Sequence, residues 1–170
     1  MCRVTVIADD QHLPYGRDRD GVAVVQIRRA EVADVPQIAE LCRVELTGEP
    51  DVDQIADWVQ RYPAVAACAP GGTLVGFCYS NVFAPDILEL DNLLVARGWR
   101  DRQVGARILC TWERHVAGRF KAVILVNSML YPSATTKRPA VAFYLRHGYT
   151  AVLRTEASCV LTKSLPDGQS

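Results

Sequence analysis

A strand joined to a helix by a short basic turn, between Ile87 and Val116, constrains the fold of this chain more than any other segment. Ile87–Val95 is almost entirely apolar or compatible with a strand, and three arginines lie in the turn at 97–102. From Val104 onward, apolar residues recur at the spacing of an amphipathic helix. The next apolar run, Lys121–Asn127, reads as a strand buried on both faces. A helix between two such strands predicts that they pair in parallel.

The remaining segments supply the other elements of a mixed sheet with helices on both faces. Asp34 and Pro36 are typical of a helix start, so we expect Asp34 to cap the first helix. Gly71 and Gly72 mark a hairpin turn. The predicted order is β-α-α-β-β-β-α-β-α-β-β, with strands at 22–29, 64–69, 73–80, 87–95, 121–127, 149–154 and 159–163, and helices at 35–46, 51–62, 104–116 and 139–148.

Length and composition favour a single domain that has no strong overall electrostatic field. The chain has 170 residues, of which 49% are hydrophobic, and its formal net charge is zero. Neither nucleic acid nor a membrane is therefore expected as a partner. Six scattered cysteines without a CxxC pair are expected to be reduced, and neither a signal peptide nor a metal motif is evident, so a cytoplasmic protein without a metal is expected. Predicted boundaries are an N-terminal arm at 1–21, a domain at 22–165 and a loose tail at 166–170.

Two motifs resemble the GNAT superfamily of acyl-CoA-dependent N-acyltransferases. The first is Arg100-Asp101-Arg102-Gln103-Val104-Gly105, similar to the Arg/Gln-x-x-Gly-x-Gly/Ala turn that holds the pyrophosphate of coenzyme A in that family. The second is Phe143-Tyr144-Leu145-Arg146-His147-Gly148-Tyr149, similar to the family's block around a catalytic tyrosine. Gln103 departs from the pattern, because the family usually has glycine there. A helical φ at Gln103, with its N–H still directed at the phosphate, would keep the turn able to bind that group.

The resemblance implies a fold of the α/β (α+β) class, with a mixed, mostly antiparallel central sheet of six to seven strands and about four flanking helices. It also implies transfer of an acetyl group from acetyl-CoA, or of another acyl group from its coenzyme A thioester, to a primary amine of a small molecule within a ternary complex. The residues it assigns to binding coenzyme A are Leu94, Val95, Arg97, Arg100, Arg102, Gln103, Val104, Gly105, Ala106 and Lys137.

The resemblance assigns catalytic roles to three side chains and one backbone group. Tyr144 would donate a proton to the departing thiolate. Glu89 is the first candidate for the base and Asp91 the second, because both lie on the predicted fourth strand among apolar residues. An oxyanion donor is expected at a bulge near Leu94 or Val95. The alternatives are a core role for Tyr144 and pairing of the two carboxylates with arginines.

The acceptor site is expected between the loop at 46–51 and the last hairpin around 155–158, with the loop at 128–137 beside it. Glu49, Asp51 and Glu156 add negative charge there, which favours an amine. Lys137 stands where the family often has asparagine, so it would contact donor phosphates or a carrier protein instead. A homodimer and an acyl carrier protein are the partners left open. The competing functions are acyl-CoA binding without turnover and acyl transfer from a carrier protein.

Overall fold

The strand, basic turn and helix predicted between Ile87 and Val116 are present in the computed structural model, which describes residues 25–46, 48–128 and 140–166. The predicted order of elements is confirmed in these ranges. The strands are β1 (Gln26–Arg29), β2 (Val65–Cys68), β3 (Leu74–Ala84), β4 (Ile87–Val95), β5 (Ala122–Ser128), β6 (Thr150–Arg154) and β7 (Ser158–Ser164). The helices are α1 (Val35–Glu45), α2 (Val52–Arg61), α3 (Val104–Val116) and α4 (Ala140–Arg146), and short 3-10 turns occupy Val32–Asp34 and Arg97–Trp99.

The seven described strands form one sheet in the order β1-β2-β3-β4-β5-β7-β6. Each neighbouring pair is antiparallel except β4 and β5, which are parallel and joined through α3. The predicted fold class, a mixed and mostly antiparallel sheet with four helices, is therefore confirmed. The parallel ladder between β4 and β5 is short, since it runs only from Ile87↔Ala122 to Glu89↔Ile124.

Two apolar cores lie on opposite faces of the sheet. On one face, α3 and α4 cover the central strands, with Trp112 fully buried and its indole N–H donating to the carbonyl of Pro63 at 3.0 Å. On the other face, α1 and α2 pack over β2 and β3, around Ile38 and Phe77. This second core contains residues of β2, β3 and β4, and none of β5, β6 or β7.

Asp34 occupies the position before α1, but the predicted side-chain cap is wrong. Its carboxylate does not cap α1. It accepts two hydrogen bonds from the guanidinium of Arg28, at 2.6 and 2.7 Å, and one from the N–H of Glu31 at 2.8 Å. The hydrogen bond from Arg28 is the main cause of the lowered pKa of Asp34. A guanidinium satisfies a buried carboxylate better than one helical N–H does.

All five cysteines in the described ranges are free, and four of them are buried. No helix in the described part of the chain is long and apolar enough to cross a membrane. Lys137 and most of the loop at 128–137 lie outside the described residues, as does the predicted arm at 1–21.

Candidate active site

The centre of the candidate site is an opening between β4 and β5. Their pairing ends at Glu89↔Ile124, whereas β4 continues to Val95 and β5 to Ser128. The register against β3 shows a bulge at this point, because Tyr79 pairs with Asn92 and Ser80 with Leu90. Asp91 is thus an extra residue in β4, and a bulge bends a strand and increases its twist. The two strand edges beyond the bulge present backbone groups that are not paired with each other.

The bulge lies at Asp91, so the prediction that placed it near Leu94 or Val95 is wrong. The direction of the backbone N–H still distinguishes Leu94 from Val95 as a possible oxyanion donor. The N–H of Ala96 donates to Val75 on β3 at 2.9 Å, and successive residues of a strand point in opposite directions. The amide of Val95 therefore points away from β3 and into the opening, while that of Leu94 points toward β3. The carbonyl of Val95 has the same direction and accepts a hydrogen bond from Arg100 Nε at 2.8 Å.

The N-terminus of α3 follows directly and presents free amides. No side chain caps it, and the first helical hydrogen bond runs from Arg107 N–H to the carbonyl of Gln103 at 3.0 Å. The amides from Gln103 to Ala106 thus have no partner within the helix, which suits an anion. Gly105 lies among these residues, where an added Cβ would be 3.8 Å from the ring of Phe143 in α4. The start of α3 and the ring of Phe143 are therefore neighbours.

Gln103 does not have the helical φ that would suit a residue other than glycine. Its φ is 61° and its ψ is 5°, which is the left-handed conformation that glycine adopts freely. Asp101 also has a positive φ, of 59°. The turn therefore keeps a left-handed backbone without glycine, at a cost of about 1–2 kcal/mol per residue.

The arginines of the turn have different surroundings. The Arg100 guanidinium lies 2.6 Å from Glu45 of α1, whose other carboxylate oxygen accepts the N–H of Arg97 at 2.7 Å. Arg100 thus fastens the turn to α1 and to Val95. The side chains of Arg97 and Arg102 are exposed, and the Arg102 guanidinium lies 5.7 Å from the ring centre of Trp99, which packs against the α3 core.

Tyr144 lies in α4 on the α3 side of the sheet and is 7% exposed. Its ring makes edge contacts with Phe143 and Tyr149, at centroid distances of 5.1 and 5.4 Å. Burial, followed by the nearby thiol of Cys78, raises the pKa of Tyr144 well above its ordinary value. The phenol is therefore held in its neutral, proton-carrying form.

Asp91 and Glu89 occupy different positions relative to a cavity of about 240 Å³ on the α1–α2 side of the sheet. Asp91 lines this cavity and Glu89 does not. Partial desolvation by the surrounding protein, and secondly the charge of Glu89, raise the pKa of Asp91 to about 6, although Asp91 is an exposed residue. Neither carboxylate makes an ion pair with a described residue. The alternative of simple pairing with arginines therefore does not hold in the described part of the chain.

The cavity wall includes Glu49 and Asp51 of the predicted acceptor loop, together with two aromatic residues that the sequence reasoning missed. These are Trp58 of α2 and Tyr79 of β3, with ring centres 5.7 Å apart. Their positions follow from the helical spacing of α2 and from the alternation of β3, but neither pattern says that a cavity lies between them. The hairpin around 155–158, including Glu156, does not line the cavity.

The acidic side chains of the loop already have structural partners. Glu49 binds Arg43 at 3.0 Å, and Asp51 caps α2 by accepting the N–H of Gln54 at 2.9 Å. Asp91 is therefore the cavity carboxylate best suited to meet a bound cation. The described residues contain no group of three or more side chains arranged to hold a metal ion.

Comparison with known proteins gave matches by sequence family and by structure. Residues 32–149 match the sequence model described as the acetyltransferase (GNAT) family. A search of the curated proteins found no significant match.

Three solved structures illustrate the structural likeness. The PaiA N-acetyltransferase from Thermoplasma acidophilum, in complex with coenzyme A, has a TM-score of 0.69 and 15% identity, covering 83% of this chain and 99% of that one. A phosphinothricin acetyltransferase from Sinorhizobium meliloti, in complex with AcCoA, has a TM-score of 0.67 and 18% identity, covering 85% and 90%. The ribosomal-protein-S18-alanine N-acetyltransferase from Escherichia coli has a TM-score of 0.67 and 15% identity, covering 84% and 95%. At these identities the likeness establishes the fold.

Proposed function

This chain belongs to the acetyltransferase (GNAT) family, and we propose that it transfers an acetyl group from acetyl-CoA to a primary amine of a small molecule by direct attack. One observation carries the proposal. The opening between β4 and β5 has the free N-terminus of α3 at one end and a carboxylate-lined cavity on the α1–α2 side. A thioester in the opening would therefore meet an anion-binding helix end and an amine-binding pocket at once.

The donor site is built from backbone more than from arginine side chains. The amides of Gln103, Val104, Gly105 and Ala106 would bind the pyrophosphate, with the exposed Arg97 and Arg102 nearby. The coenzyme A in the PaiA structure and the AcCoA in the phosphinothricin acetyltransferase structure support this choice of donor. Arg100 would act by holding the turn in position, since its guanidinium is bound to Glu45.

The reaction needs one base, one oxyanion donor and one acid. Asp91, directly or through a water, first takes one proton from the bound ammonium and passes it to solvent. The neutral nitrogen then attacks the thioester carbonyl carbon and loses a second proton to solvent. The amide of Val95, which points into the opening, would stabilise the tetrahedral oxyanion. The carbon–sulfur bond then breaks, and the Tyr144 hydroxyl protonates the departing thiolate. The products are the amide and free coenzyme A.

Tyr144→Phe tests the proposal, because phenylalanine keeps the ring contacts with Phe143 and Tyr149 and removes only the hydroxyl. We expect kcat to fall about 10²-fold or more, with unchanged affinity for coenzyme A, since general acid catalysis contributes about 10²–10⁴-fold. Thiol release with acetyl-CoA and a panel of amines measures turnover, and calorimetry measures binding. Arg146→Gln, an exposed change on the same helix, is the matched control.

Each contrary outcome favours a named alternative. Coenzyme A binding without turnover on any amine would indicate an acyl-CoA-binding module. No binding of coenzyme A, together with turnover of an acylated carrier protein, would indicate a carrier-protein donor. Full activity in Tyr144→Phe would remove Tyr144 as the acid.

A further inference from the structure

An uncovered apolar strip lies on the sheet face that α1 and α2 partly cover. We define the strip as Val126 of β5, Val160 of β7 and Leu153 of β6, which are consecutive partners across the three strands. Paired residues share a face, and Leu125 and Leu161, which alternate with strip residues along β5 and β7, are buried in the α3 core on the opposite face. The strip therefore faces away from α3.

Nothing in the described part of the chain buries this strip. The core beneath α1 and α2 contains no residue of β5, β6 or β7. As a result, Val126 is 54% exposed and Leu153 is 59% exposed. Strands lie about 4.8 Å apart, so the strip extends about 10 Å from β5 to β6. Covering these side chains would remove apolar surface from water, which favours an apolar ligand.

The strip is continuous with the candidate active site. Glu89 pairs with Ile124 on β5, and Ile124 lies on the same face as Val126, two residues further along. None of the strip residues is charged. The cross-strand rows on either side of the strip are also uncharged: one consists of Ile124, Thr162 and Thr150, and the other of Ser128 and Ser158. Glu89 and Asp91 of β4, which make no ion pair with a described residue, lie at the side of the strip nearest the cavity. The face therefore suits a molecule with a positive charge at one end and an apolar remainder.

The cavity can hold only part of an acceptor of ordinary ligand size. Ligand pockets usually measure about 300–1,000 Å³, and this one measures about 240 Å³. We propose that the acceptor is a primary amine on an apolar body, with the nitrogen beside Asp91 and the body lying along the strip of Val126, Val160 and Leu153. This inference rests on the proposed acetyl transfer and adds the class of amine.

The experiment compares kcat/KM, with saturating acetyl-CoA, for ethylamine, butylamine, hexylamine, octylamine and spermidine. Burial of each added methylene should raise kcat/KM up to about fourfold from butylamine to octylamine. Val126→Ser and Leu153→Ser should each lower kcat/KM for octylamine about tenfold and leave ethylamine unchanged. Val82→Ser is the matched control, because Val82 is a 40% exposed strand valine that pairs with Leu88 of the opposite face.

Different results would overturn different statements. A flat series of alkylamines, or a preference for spermidine, would reject the apolar acceptor while leaving acetyl transfer intact. Conversion of a dimer to a monomer by Val126→Ser in analytical ultracentrifugation would identify the strip as a subunit interface and reject it as an acceptor surface.

Calorimetric titration of octylamine into the coenzyme A complex keeps the inference testable without turnover. Binding that weakens about tenfold in Val126→Ser, with no acetylation of any amine, would support the strip and reject the proposed reaction. Binding that is equal in Val126→Ser and in wild type would reject the strip.

Discussion

Asp91→Asn is the most informative substitution, because it removes the proposed base without changing the size of the side chain. The pKa of Asp91 is raised to about 6 by burial beside the cavity and then by the charge of Glu89. If its carboxylate accepts the proton from the amine, kcat/KM must follow its deprotonation. Between pH 7 and pH 5 the wild-type rate should therefore fall about tenfold.

Substitutions of the two carboxylates should change the pH profile of kcat/KM in different ways. Asp91→Asn should lower kcat/KM by about 10²–10⁴-fold and abolish the acidic limb. Glu89→Gln removes a like charge, so it should lower the pKa of Asp91 and move the limb to lower pH while most activity remains. The assay is initial-rate thiol release from acetyl-CoA between pH 4.5 and 8, with a fixed amine and coenzyme A binding measured at each end.

Stability measurements separate loss of the base from loss of the fold. A carboxylate whose folded pKa of about 6 exceeds its unfolded value of about 3.9 binds its proton more tightly in the folded state. Its contribution to stability is thus present below about pH 4 and is lost as the pH rises through about 6. At pH 7 the charged form is penalised, so Asp91→Asn should resist urea at least as well as wild type. An Asp91→Asn enzyme with wild-type kcat/KM and an unchanged limb would refute the assignment.

Three further substitutions test the frame around the site, with urea unfolding as the common measurement. Gln103→Gly should raise the free energy of unfolding by about 0.5–1 kcal/mol, because relief of the left-handed strain exceeds the entropy cost of glycine; a decrease would contradict the positive φ. Gly76→Ala should lower it by about 1–3 kcal/mol, since the new methyl would lie 2.9 Å from Ile108 Cδ1; an unchanged value would contradict the close packing of α3 on β3. Glu45→Gln should cost about 1.5–3 kcal/mol by replacing the charged acceptor of the Arg100 hydrogen bond with a neutral amide, and calorimetry should show weaker coenzyme A binding. Unchanged affinity would show that the turn does not depend on this ion pair.

The course of the chain was predictable because its signals are local. Apolar periodicity and the glycine turn located β4, α3 and the β2–β3 hairpin to within a few residues, and the crossover through α3 required a parallel neighbour for β4. The second helix was predicted to begin at Asp51, and in the structure Asp51 is the residue just before it, where its side chain caps α2. Asp34 shows where the capping rule fails, because its carboxylate is bound by the guanidinium of Arg28 on β1 and does not cap α1.

The sequence by itself determined the mixed fold and the turn before α3, which follow from spacing and residue type along continuous segments. Its resemblance to the GNAT family selected Tyr144, Glu89 and Asp91 as the candidate catalytic residues. Tertiary structure alone decided that the bulge falls at Asp91, that Asp91 rather than Glu89 lines the cavity, and that Arg100 binds Glu45 of a distant helix. Each of these depends on the register between strands or on packing between helices, and a one-residue shift in register moves a side chain to the other face of a sheet.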